Sequence, residues 1–118
     1  MGVMIVNFDI LTDDNVVSQS IHRKLVGELN RGRSKFQIRF EDNICYISTP
    51  EDVYALAKRL IGMSNLRVEK DGLVIIDKRS KKICVWGVCN MKTFGQFPRY
   101  KLVNICEFLY KNNLYKGM

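Results

Sequence analysis

A chain of 118 residues, 47% apolar and 26% charged, is long enough for one domain around one core and too apolar to stay disordered. Its net charge of +7 points to a polyanionic partner, and no apolar run approaches the length of a membrane span. The four cysteines sit in apolar surroundings, which fits a reduced, intracellular core better than a disulfide frame.

The stretch "MGVMIVNFDILTDD" has no basic region ahead of its apolar residues and no small-residue cleavage site. It is expected to be a first strand, not a signal peptide. Val6, Phe8 and Ile10 alternate with Asn7 and Asp9 across residues 3–10. Thr12-Asp13-Asp14 offers N-cap chemistry to a helix with Val17, Ile21, Leu25 and Leu29 on one stripe and Gly32 as its stop. "KFQIRFEDNICYIS" reads as a hairpin turning at Asp42-Asn43. Phe36, Ile38 and Phe40 point one way, and Lys35, Gln37, Arg39 and Glu41 the other.

"TPED" opens a second helix, with Thr49 as N-cap, Pro50 at the first helical position and Asp52 at the third. This helix buries Val53, Leu56, Ala57 and Leu60 and ends at Gly62. "LRVEKDGLVIID" predicts another hairpin turning at Asp71-Gly72, and the chain turns again at 78–82 into "KICVWGV". "YKLVNICEFLYKN" predicts a last helix with Leu102, Cys106 and Leu109 on one stripe. The order β-α-β-β-α-β-β-β-α predicts a single compact α+β domain over 1–118. It has an antiparallel sheet of about six strands and three helices, at least two on one face, and the order permits a saddle shape. Strands 73–76 and 83–88 are apolar on both faces. They are therefore expected to be central, covered on both sides, or part of a homodimer contact.

Signals for enzyme chemistry are weak, and no catalytic residue, cofactor or metal is expected. His22 is the one histidine and lies on the polar side of its helix, which excludes a two-histidine metal site. Cys84 and Cys89, five apart on one strand, would face opposite sides, unlike the converging pairs zinc requires. The acid pairs Asp13-Asp14, Glu41-Asp42 and Glu51-Asp52 stand at turns or helix starts, where acids serve as caps. A magnesium nuclease would need Asp9 to converge with Glu69 or Asp77, and that requires neighbouring strands. There is no glycine-rich phosphate loop.

The placement of charge says more. Lys78, Arg79, Lys81, Lys82, Lys92, Arg99, Lys101, Lys111 and Lys116 face a single acid, Glu107, from residue 78 onward. Residues 1–77 hold ten cations and eleven acids, so all the excess lies in the last third. "KRSKK", 78–82, would present its cations to phosphates, where counterion release gives affinity without regard to sequence. "RGRSK" supplies Arg31, Arg33 and Lys35 in a second basic turn. Arg39, on the polar side of its strand, adds a possible sheet face that Arg67 could join. "MKTFGQFPRYK", 91–101, interleaves Lys92, Arg99 and Lys101 with Phe94, Phe97 and Tyr100, a pattern that suits stacking on unpaired bases.

The expectation is a small, basic, intracellular regulatory protein that binds nucleic acid, DNA before RNA, without catalysis and without a membrane partner. Its setting would be a microbial cytoplasm, or the host cytoplasm if the protein is viral. Two alternatives stand beside it. One is a protein-interaction adaptor or inhibitor that docks its basic face on an acidic partner. The other is a small metal-dependent nuclease.

Residues 60–80, "LIGMSNLRVEKDGLVIIDKRS", resemble part of the C-terminal domain of the middle-promoter transcription activator of T-even phages. The shared features are a helix ending in "IGMS", a short strand, a Lys-x-Gly turn and a strand running into "DKRS". The likeness covers roughly a fifth of the chain. It implies a saddle-shaped sheet that binds DNA as a "double wing", with Lys78 and Arg79 as the contact residues.

Overall fold

The computed structural model describes residues 2–88 and 99–104. In chain order the elements are β1 (Gly2–Asp9), α1 (Asn15–Asn30), β2 (Ile38–Glu41), β3 (Ile44–Thr49), α2 (Val53–Ser64), β4 (Gly72–Asp77), β5 (Lys82–Gly87) and β6 (Lys101–Asn104). The six strands form one sheet in the order β2-β3-β1-β4-β5-β6. Every neighbouring pair is antiparallel except β5 and β6, which run parallel. The fold is therefore α+β, with a mixed sheet and, among the described residues, two helices.

Three expectations about the strands and the last helix change. The sheet is not wholly antiparallel, because β6 enters beside β5 in the same direction. Residues 101–104 are this strand and not the start of a third helix. The remainder of that expected helix, with Cys106 and Leu109, lies outside the described residues. The strand expected at 66–70 is a turn, so there is no hairpin about Asp71-Gly72, and β4 pairs with β1 and β5 instead. The strand count of six agrees, but its membership does not.

Capping places the helices. The Asp14 side chain accepts from the N–H groups of Val16 and Val17 and starts α1. Asp52 accepts from the Tyr54 N–H and starts α2. Thr49 cannot be that cap, because it is the last residue of β3. Gly62 lies within α2, which stops after Ser64 where Asn65 turns left-handed at φ 61°.

One face of the sheet carries the main core. Met4, Val6, Phe8, Cys45, Ile47, Leu73, Ile75, Cys84 and Trp86 pack there against Ile21, Leu25 and Leu29 of α1 and Leu56 and Leu60 of α2. The reverse face has a smaller cluster of Val74, Ile76 and Ile83, with Ile5, Val85 and Tyr100 against it. As expected from its apolar sequence, β4 is central and buried at every position.

Asp71 ties the loops at one end of this sheet. Its carboxylate accepts from the N–H of Leu11 and of Arg67 and from the Arg67 guanidinium, while its carbonyl accepts from the Val88 N–H. Burial alone would raise the Asp71 pKa, but the Arg67 hydrogen bonds outweigh it and hold the group below the ordinary carboxylate range. These bonds explain the turn at 66–70. Leu66 is buried, but Arg67 is drawn back onto Asp71 rather than extended beside a neighbouring strand. No helix among the described residues is long and apolar enough to cross a membrane.

Candidate nucleic-acid interface

The basic turn forms because Asp77 and Lys82 are register partners, which leaves residues 78–81 to reverse the chain. Asp77 is buried and organises the reversal. It accepts from the Arg79 N–H at 3.0 Å, the Ser80 N–H at 3.4 Å and the Ser80 hydroxyl at 2.7 Å. Lys81 closes the turn in the left-handed region at φ 57°. Backbone bonds clamp the turn on both sides, from the Lys78 N–H to the Val3 carbonyl and from the Lys101 N–H to the Lys81 carbonyl. The backbone is thus fixed while the side chains of Lys78, Arg79 and Lys81 stay exposed.

Two further cations join this tip. Lys101 is the register partner of Lys82 in the parallel pair and is exposed, and Arg99 is exposed just ahead of it. Lys82 is half-buried, with its ammonium 5.1 Å from the centre of the Tyr54 ring on α2. Lys58, one helical turn beyond Tyr54, is also exposed. The charge count at 78–101 did not reveal Lys58. The Tyr54/Lys58 spacing on a helix was the available signal. Lys92, Phe94 and Phe97 lie outside the described residues.

The registers sort the charges by end. Lys78–Lys82 and Lys101 stand at the end of the sheet where β1 begins and β3 finishes, and the chain from Arg31 to Lys35 leads into β2 at that same end. Asp9, Asp13, Asp14, Glu41, Asp42, Glu69 and Asp71 belong to the opposite end. The described acids remaining at the basic end are engaged. Asp52 caps α2, Asp77 holds the turn, Glu51 takes the guanidinium groups of Arg33 and Arg59, and Glu28 lies against Arg59 and Arg31.

Ion pairing follows the same division. Arg67 and Lys70, at the acidic end, both pair with Asp13, and Arg67 also pairs with Asp71. The hydrogen bond from Lys70, with that from Arg67, holds Asp13 down at a pKa of about 2, and Asp71 chiefly holds Arg67 above its ordinary value. By contrast Lys78, Arg79, Lys81, Lys82, Arg99 and Lys101 make no ion pair among the described residues. No protein-family model, curated protein or solved structure matches this chain.

The "RGRSK" segment divides. Lys35 is exposed, with its ammonium 5.7 Å from the Phe36 ring centre. Arg31 is exposed and lies 3.8 Å from Glu28. Arg33 is turned inward: it donates to the Leu29 carbonyl at 2.6 Å and pairs with Glu51, leaving its side chain 6% exposed. Arg39 lies on the sheet face away from the helices, its guanidinium 4.5 Å from the Tyr46 ring centre and 3.6 Å from Glu41. Since β2 and β5 sit four strand spacings apart, the two basic segments share one end at roughly 19 Å separation.

The structure does not bring Asp9 and Asp77 together for metal-dependent cleavage. Strands β1 and β4 are indeed neighbours, but Asp9 pairs with Gly72 and Asp77 with Met4, roughly 17 Å along the strands. No group of three or more potential metal ligands occurs among the described residues. Cys45 and Cys84 are free and buried, and burial pushes their thiols up to about 11 and about 12. His22 is exposed and sets its ring edge against Phe8.

Proposed function

We propose that this protein binds nucleic acid through the basic end of its sheet, without catalysis and in a regulatory role. The observation that carries this reading is the set of cations at Lys78–Lys82, Arg99 and Lys101, none paired with a described acid, on a backbone held rigid by Asp77. Lys35 and Arg31 extend the strip toward the β2 edge. Acids sorted to the far end give the molecule a field that orients the basic end toward a polyanion. B-form DNA is the preferred form because its major groove is wide and its phosphates are open to the basic end, whereas the A-form RNA major groove is deep and narrow.

The resemblance of residues 60–80 to the phage activator domain supports the same surface, since it implicates Lys78 and Arg79. The short strand in that likeness is a turn in this chain. The adaptor reading uses the same cations against an acidic protein. Titration with random duplex separates the two. Neutralising about five phosphates gives a log–log salt slope near −4.5 for duplex binding. Absence of salt-sensitive duplex binding would overturn the nucleic-acid reading.

A further inference from the structure

Phe36 is 89% exposed, the largest exposure of any aromatic residue described. Alternation along 35–41 would have turned its ring to the core. Instead the Gln37 N–H donates to the Ser34 carbonyl, the Ser34 N–H donates to Gln37 Oε1, and the Ser48 N–H donates to the Gln37 carbonyl. These bonds make a turn of residues 34–37 and begin β2 only at Ile38. A side chain of this size in water has no role in the core.

Beside it a groove of about 370 Å³ crosses the strands at the β2 edge, lined in part by Lys35, Phe36, Gln37, Arg39, Tyr46 and Ser48. Two of these are aromatic, each with a cation next to its ring: Lys35 at Phe36 and Arg39 over Tyr46. Among the described residues no carboxylate lines the groove, and the nearest acid to its cations, Glu41, lies outside that lining, 3.6 Å from Arg39. The Gln37 amide oxygen is taken by the Ser34 N–H, which orients the amide and leaves its NH2 with two donors.

We propose that this groove takes an unpaired nucleobase of a single strand, stacked on Phe36, with Lys35 and Arg39 on the flanking phosphates. The inference rests on the nucleic-acid reading and adds a second ligand form to it. A paired base has both faces covered by its neighbours in the helix, whereas an unpaired base offers a free face for an aromatic ring. A ring beside cations with no acid in the groove matches a base beside phosphate. With its oxygen taken by the Ser34 N–H, Gln37 can only donate and cannot make the bidentate amide contact that reads adenine, so a carbonyl-bearing base such as thymine or uracil fits better.

The test compares oligo-dT, oligo-dA and a blunt duplex by fluorescence anisotropy, with wild type and Phe36→Ala. Phe36 is exposed, so the variant should melt as wild type does. Its affinity for oligo-dT should fall about 5- to 100-fold while duplex affinity holds. Phe36→Tyr should restore binding, and wild type should prefer oligo-dT to oligo-dA. Unchanged oligo-dT affinity in Phe36→Ala, with duplex binding intact, overturns the groove and leaves the basic end standing. Failure of wild type to bind any of the three removes the nucleic-acid reading, and the groove with it. A wild-type dimer that Phe36→Ala converts to a monomer in sedimentation, without loss of oligo-dT binding, would assign the ring to a contact between copies and overturn the proposal.

Discussion

The Arg79 backbone N–H donates to the Asp77 carboxylate at 3.0 Å, so an acid organises the most basic turn of the chain. Backbone order and side-chain charge are thereby separable. Changing Lys78 and Arg79 to Gln, and Lys81 to Asn, should leave the melting temperature near wild type. Asn is chosen at 81 because it tolerates the left-handed φ of 57° there. Duplex affinity should fall evenly across sequences, and the salt slope should flatten by about two to three units. Undiminished duplex binding by a natively stable variant would take this turn out of the interface.

Arg33 and Lys35 are two residues apart and should behave as opposites. The Arg33 guanidinium is held by Glu51 and the Leu29 carbonyl. Arg33→Ala should destabilise by about 2–3 kcal/mol, because it leaves Glu51 with one cation fewer in a partly buried site. Lys35→Ala should leave the melting temperature unaltered and weaken duplex binding. Denaturant unfolding beside anisotropy measures both effects. Equal stability of the two variants would contradict the packing of Arg33.

Much of the fold could be read from alternation, and the failures have local causes. The β1 and β3 strands follow their alternation, β4 and β5 their continuous apolar runs, and both helices their apolar stripes, except that Ser18 is buried in α1 where the stripe predicts Val17. The Lys101–Asn104 strand does not, because "KLVN" fits a helical stripe as well as a strand, and parallel pairing with β5 decides it. Residues 66–70 fail because side-chain bonds to Asp71 outweigh the strand pattern. Phe36 fails because Gln37 bonds back to Ser34. For the candidate site, the charge run at 78–82 is visible in sequence. The sorting of acids and cations to opposite ends is not, since it needs the strand registers. Nor could sequence separate Arg33 from its neighbours, because Glu51 is eighteen residues away.

The Asp13 and Asp71 carboxylates predict an acid-labile end. Asp13 titrates at about 2 instead of its ordinary 3.8, and Asp71 is also lowered. Because the folded pKa lies below the unfolded one, the stabilisation is fully present above about pH 4 and is lost as pH falls toward 2. Asp13→Asn should lower stability at neutral pH and lose part of the steep decline between pH 4 and 2. Chemical denaturation across that window tests it, and a decline as steep as wild type would contradict the assignment to Asp13.

Burial of Cys45 and Cys84 predicts silence toward thiol reagents. With thiols at about 11 and about 12, almost no thiolate exists near neutrality, and both residues are 2% exposed or less. Alkylation of the folded protein followed by peptide mass mapping should leave both unmodified, and denaturant should expose both. Rapid native labelling of either would contradict the packing of the sheet face beneath the helices.

Gly87 offers the sharpest test of the loop knot. It has a φ of 75°, and a Cβ there would collide with the Asp71 carbonyl oxygen, which is backbone and cannot move aside cheaply. That carbonyl accepts from the Val88 N–H at 2.9 Å, and the Asp71 carboxylate gathers Leu11 and Arg67. A methyl group at 87 therefore strains its own backbone and also pushes the residue that joins three loops. Gly87→Ala should cost on the order of 3 kcal/mol or more. Gly62→Ala is the control, since that glycine lies inside α2 with open space around its Cβ position. It should stabilise by about 0.5–1 kcal/mol through helix propensity. Equal unfolding midpoints for the two variants in urea would mean that Gly87 does not hold this approach to Asp71.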